Sequence, residues 1–83
     1  MKIELHPHAR ERAKERGTTE DEVIDTVLHG EQFPAKHNRL GFRKTTIYNK
    51  EWQGKKFYAK QIECFAVHED DTWVVISVLV KYF

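Results

Sequence analysis

Eighty-three residues, 40% hydrophobic and 33% charged with a formal net charge of +1, fit one small globular domain over residues 1–83 and leave no length for a second. No apolar run reaches the ~20 residues of a membrane span, and the opening MKIELHPHAR has no apolar stretch behind its lysine, so neither a membrane protein nor a secretory leader is expected. A single cysteine, Cys64, excludes an internal disulfide and favours a reducing, cytoplasmic setting.

Ile3 and Leu5 alternate with polar neighbours and predict a short first strand. Pro7 suits the first turn of a helix, where its missing N–H would have had no partner. That helix runs to about Arg16, with Gly17 as a left-handed stop. Its only apolar stripe is Ala9 and Ala13, small enough to let it sit close against a sheet. Thr19 and Glu22 make a capping box for a second helix, and Glu20, Asp21 and Glu22 face its positive end. Val23, Ile24, Val27 and Leu28 recur at helical spacing as the buried face, and Gly30 ends the element.

Beyond Gly30 the period becomes that of strands. Phe33 and Pro34 predict a connector or edge strand, because proline cannot donate to a ladder. Arg43–Tyr48 reads as a strand, Asn49–Gly54 as a turn carrying Trp52, and Lys56–His68 as a longer strand. Glu69-Asp70-Asp71 is then a hairpin loop before Trp73–Phe83, whose Val74, Ile76, Val78, Val80 and Tyr82 should share one face. The expected architecture is α+β: a short N-terminal strand, then two helices packed on one face of a three- to five-stranded, mainly antiparallel sheet.

The net charge conceals an asymmetry. Residues 1–35 balance to −3 and residues 61–83 to −3, whereas residues 36–60 carry eight Lys/Arg against Glu51 alone, a balance of +7. That block also holds Phe42, Tyr48, Trp52, Phe57 and Tyr58. Basic residues interleaved with aromatics suit a surface that tracks a phosphate backbone and stacks on bases. The candidate RNA-binding residues are Arg43, Lys44, Tyr48, Trp52, Lys55, Lys56, Tyr58 and Lys60. Lysines that merely keep exposed strands soluble would give the same composition.

His8, Arg12 and Arg16 lie four residues apart and form one column on the first helix. The helix dipole and the arginine below both favour the neutral imidazole, which can accept a proton as a general base. The guanidinium forks of Arg12 and Arg16 suit a phosphate or the charge of a pentacoordinate phosphorane. Metal-independent RNA cleavage needs those parts plus an acid for the leaving 5′-oxygen. Lys44, Tyr48, Tyr58, Lys60 and His68 are the candidates for that acid. The alternative is structural: His8 caps or packs, and the arginines pair with Glu20, Asp21 or Asp25. No metal or other cofactor is expected, since His6 and His8 diverge around Pro7 and Cys64 lies far off in sequence. Cys64 and His68 would share a strand face, an arrangement more typical of core than of a dyad.

The run His8-Ala9-Arg10-Glu11-Arg12-Ala13-Lys14-Glu15-Arg16-Gly17 resembles the H-A-x-x-R-x-x-x-R-G signature of a small prokaryotic family, domain of unknown function 4258. Thr18-Thr19-Glu20-Asp21-Glu22-Val23 fits the acidic start of that family's second helix, although Thr18 stands where the family usually has isoleucine. The resemblance implies a fold similar to the barnase, colicin-nuclease and RelE group of metal-independent ribonucleases, many of them toxins neutralised by a partner protein. On that basis His8 and Arg12 carry over as catalytic residues and Arg16 follows them, while no sheet residue matches the signature.

The resulting expectation is a toxin-like, metal-independent endoribonuclease acting on RNA or the ribosome, neutralised by an antitoxin protein, and present as a monomer or homodimer. The alternative is a non-catalytic module that binds RNA or a protein through residues 36–60.

Overall fold

The computed structural model describes residues 2–83. Its chain order is β1 (Lys2–Leu5), α1 (Pro7–Glu15), α2 (Glu20–His29), β2 (Glu31–Pro34), β3 (Leu40–Trp52), β4 (Lys55–Glu69) and β5 (Thr72–Tyr82). The architecture is α+β. One five-stranded sheet has the order β1-β5-β4-β3-β2, antiparallel throughout except for β1, which pairs parallel to β5. Both helices bury their apolar stripes on one face: Ala9, Ala13, Val23 and Val27 meet Phe42, Cys64, Ala66, Val75 and Val78 in a single core.

The helix ends form as their local chemistry dictates. Gly17 (φ 78°) closes α1 in a Schellman arrangement, its N–H donating to Lys14 O at 3.2 Å while the Thr18 N–H donates to Ala13 O at 2.9 Å. Thr19 and Glu22 complete the capping box of α2. Gly30 ends α2 for a different reason. Its backbone is extended (φ −80°), but a Cβ there would lie 2.4 Å from Thr26 O and 2.7 Å from Arg43 O, so only glycine lets the helix end abut β3. Thr18 is buried, with its hydroxyl bonded to Glu22 Oε1 at 3.3 Å; a polar side chain fits because the carboxylate is within reach.

Two expectations about the strands need correction. The turn after β3 is Gln53-Gly54 alone, both at positive φ, while Asn49 (φ 50°) sits in a bulge between Ile47 and Lys50 and the strand continues to Trp52. The bulge absorbs the asparagine that otherwise signals a turn. On β5, the register shifts between Phe65↔Ser77 and Ala66↔Val75, leaving Ile76 as an extra residue. The alternation therefore changes phase there. Val75 and Val78 both face the helices and are fully buried, so Val74 through Tyr82 do not share one face.

Candidate functional site

The N-cap of α1 is His6, whose Nδ1 accepts from the His8 amide at 3.1 Å, with Pro7 at the first helical position. Sequence reasoning assigned His6 no such role, although the residue before a proline is biased toward the extended backbone that an N-cap needs. His8 itself is exposed and does not cap. Its Nε2 accepts from Arg12 Nε at 3.4 Å, and Arg12 Nη1 reaches Glu15 Oε2 at 3.4 Å.

Arg16 leaves the column. At 3.6 residues per turn, two steps of four rotate a side chain by about 80°, enough to carry Arg16 over β5. There its Nη1 donates to Val78 O at 2.5 Å, and its own carbonyl accepts from the Tyr82 hydroxyl at 2.8 Å. The placement has a consequence for the sheet. β1 pairs with β5 only over Thr72–Val75, so the outer edge of β5 from Ile76 onward has no strand beside it among the described residues. The Arg16 guanidinium occupies a carbonyl of that open edge, which blunts it against pairing with another chain.

The basic residues of the 36–60 block do not form one surface. Arg43 lies on the helix-free face, bonded to Glu63 Oε2 at 2.9 Å and 3.5 Å from Glu31 Oε1, with its guanidinium over the Phe33 ring at 4.5 Å. Lys44 faces the helices and is bonded to Asp25 Oδ2. Lys60 is buried, at 4% exposure, and cannot contact RNA: its Nζ donates to Gly17 O at 2.8 Å and to both Glu22 oxygens at 3.2 Å. Strand alternation separates these neighbours in sequence. Lys50, Lys55, Lys56 and Tyr58 remain exposed near the β3–β4 turn.

Trp52 is a lid rather than a free platform. Its ring stacks on Tyr82 at 5.3 Å and 17°, beside Tyr48 and Phe57, which lie 5.3 and 5.4 Å from the same tyrosine. Gly17 approaches so closely that a Cβ there would lie 2.4 Å from Trp52 Cζ3. The bent end of the β3–β4 hairpin is thereby clamped onto the α1–α2 corner. Part of the bend comes from Tyr58 and Ala59, whose amides both donate to Phe83 O, at 2.6 and 3.0 Å.

Electrostatics follow from these contacts. Burial raises the Glu22 carboxyl, but the Lys60 ammonium, the Thr19 amide and the Thr18 hydroxyl outweigh it and hold the group below its ordinary range. Hydrogen bonds from Lys44 and then His29 likewise lower Asp25. Burial, with smaller contributions from Tyr48 and Glu22, pushes the Tyr82 phenol up to about 12, so it stays a donor to Arg16 O. Burial and then Glu63 push Cys64 to about 12; fully enclosed, it is a core thiol without thiolate character. His68 packs on Trp73 at 4.7 Å on the exposed end of β4.

Neither Arg12 nor Arg16 pairs with Glu20, Asp21 or Asp25: Arg10 is the arginine that meets Glu20, at 3.3 Å, and Arg16 sits on the β5 backbone. Arg12 pairs with Glu15 at 3.4 Å instead, and His8, which does not cap, stands exposed beside it. Among the described residues no three His, Cys, Asp or Glu side chains converge as a metal would require, and no helix is long and apolar enough to cross a membrane. Protein-family models, curated proteins and solved structures give no match to this chain.

Proposed function

We propose that this chain is a small, metal-independent endoribonuclease of toxin type, with His8 as the base and Arg12 as the phosphate ligand. The observation that carries the reading is the exposed His8–Arg12 pair, in which the guanidinium N–H lies 3.4 Å from the imidazole nitrogen. Once the Arg12 N–H turns from Nε2 to a bound phosphate, the freed Nε2 lone pair can take the proton of a ribose 2′-OH. The 2′-oxygen then attacks phosphorus, the P–O5′ bond breaks, the leaving 5′-oxygen takes a proton from water, and the product is a 2′,3′-cyclic phosphate. Arg12 would stabilise the phosphorane charge. Arg16, engaged on Val78 O, would position the end of the helix and add charge from its remaining N–H groups.

The resemblance of residues 8–17 to the family signature supports this reading, as does the layering of two helices on one face of a mainly antiparallel sheet. A RelE- or barnase-like fold, an RNA or ribosomal target, a cytoplasmic site of action and a neutralising antitoxin belong to the same proposal. The test is cleavage of structured and single-stranded RNA in EDTA, with His8→Ala and Arg12→Ala shown to be folded. Cyclic-phosphate products, reduced about 10²- to 10⁴-fold by His8→Ala, are expected. Absence of cleavage of free RNA and of ribosome-bound RNA would refute it.

A second reading, a non-catalytic RNA-binding module, is favoured by Lys50, Lys55 and Lys56. They cluster at the hairpin end beside Tyr48 and Phe57, and none is engaged by a carboxylate among the described salt bridges. It predicts binding that weakens steeply with salt and falls on Lys55→Ala or Lys56→Ala while His8→Ala leaves it unchanged.

A further inference from the structure

The face of the sheet opposite the helices carries a concavity of about 330 Å³, lined by Ala35, Lys36, His37, Arg39, Phe65 and Ser77. Its floor is organised by packing. Phe33 lies directly over Gly41, where a Cβ would be 2.2 Å from the ring, so any other residue there would displace the phenyl group. Phe33 in turn meets Phe65 edge to face at 5.9 Å, and the Arg43 guanidinium, paired with Glu63, lies 4.5 Å from the Phe33 ring centroid. The aromatic floor is thus held in place before any ligand arrives.

The rim carries two exposed cations, Lys36 and Arg39, beside His37. Lys36, His37 and Arg39 fall within the five residues between β2 and β3, and none is engaged by a carboxylate among the described salt bridges. The loop is closed by Ala35 N–H to Arg39 O at 3.2 Å and Arg39 N–H to Lys36 O at 3.3 Å. His37 (φ 61°) and Asn38 (φ 59°) are both left-handed, a conformation that costs roughly 1 kcal/mol or more for each non-glycine residue. Lys36 and Arg39 are exposed and their N–H groups are open to a bound anion.

A bare anion would leave the aromatic floor unused. A planar ring bearing a phosphate uses all of it, and about 330 Å³ lies at the small end of ligand pockets. We propose that this concavity is a nucleotide-binding site, with the base against Phe65 and the phosphate held by Lys36 and Arg39. Ser77, on the strand beyond Phe65, offers a hydroxyl to the base or sugar. The site lies across the sheet from His8 and Arg12 and does not depend on the reaction proposed for them. A free mononucleotide and one nucleotide of an RNA strand share this chemistry.

The experiment is an amide chemical-shift titration of the full chain with adenosine 5′-monophosphate, adenosine, inorganic phosphate and an uncleavable 2′-O-methyl oligoribonucleotide. Adenosine 5′-monophosphate is expected to move the amides of residues 36–39, Phe65 and Ser77, with Arg39→Ala and Lys36→Ala each weakening it about fivefold, the worth of one exposed ion pair. Phe65→Leu, which keeps an apolar floor, should bring the nucleotide's affinity down toward that of phosphate. An oligonucleotide that competes at the same amides identifies a strand as the source; one that does not identifies the free nucleotide. Phosphate binding as tightly as the nucleotide, shifts that persist unchanged in Arg39→Ala, or no shifts at the loop would each overturn the proposal.

Discussion

Lys60 Nζ lies 3.2 Å from both carboxylate oxygens of Glu22, and 2.8 Å from Gly17 O, so one ammonium ties β4 to the first turn of α2 and to the α1–α2 corner. Lys60 is 4% exposed, whereas the Glu22 side chain is 43% exposed. The lysine therefore bears the desolvation, so removing its carboxylate, which strands a buried ammonium, should cost more than removing the lysine, which leaves Glu22 to water. Glu22→Gln leaves the buried ammonium without its counter-charge and we expect it to lose about 1–3 kcal/mol, with Lys60→Met, which keeps the stem volume, losing less. Urea unfolding of both single variants and the double variant measures this. A coupling energy indistinguishable from zero would show that the pair contributes no interaction.

The same pair sets a pH dependence. The Glu22 carboxyl titrates below its ordinary value in the folded chain, so the unfolded chain binds the proton more readily as acid is added. The stabilisation is complete above the unfolded value and is lost as pH falls through the lower, folded one. Wild type should thus exceed Glu22→Gln in urea midpoint at pH 7, with the gap closing progressively below about pH 4.5. A gap that stays constant to pH 2.5 would contradict the assignment.

Gly17 and Gly54 share nearly the same backbone, φ 78° and 79°, but differ in surroundings: Trp52 and Tyr82 crowd Gly17, while nothing lies within 4 Å of a Cβ at Gly54. Gly54→Ala should cost about 1 kcal/mol, the left-handed penalty alone. Gly17→Ala should cost about 2–4 kcal/mol, because Trp52 must also leave its stack on Tyr82. Thermal unfolding gives the difference, and near-ultraviolet circular dichroism should report the altered tryptophan only in Gly17→Ala.

Arg16 contributes to the sheet edge as well as to charge. Arg16→Ala frees Val78 O and leaves β5 unguarded beyond Val75. We expect a loss of about 1–2 kcal/mol and concentration-dependent self-association stronger than that of wild type, read by sedimentation velocity. Arg16→Lys should restore part of the protection. Equal association of all three proteins would remove the edge from the explanation.

The α1 site was legible in part. The spacing of His8 and Arg12 places them on one helical surface, and helical geometry alone brings their nitrogens together. Arg16 has the same spacing, yet its partner is a carbonyl 62 residues away, which no local pattern announces. The concavity under Lys36 and Arg39 was not legible at all. It exists because Gly41 admits the Phe33 ring and because β4 and β5 bring Phe65 and Ser77 side by side.

Local hydrogen bonding decided the features that sequence alone determined: the Pro7 start, the Gly17 stop, the Thr19–Glu22 box and the two-helix, multi-stranded α+β order. Each depends on groups within about a turn of one another, so the residues themselves specify the geometry. The tertiary structure alone decided which face each strand residue took. Extra residues at Asn49 and Ile76 change the phase of alternation, and that phase depends on a neighbouring strand's register. The same registry buried Lys60, split the +7 block between the two faces and left Lys36 and Arg39 without carboxylate partners, because charge in sequence becomes charge on a surface only after the strands have paired.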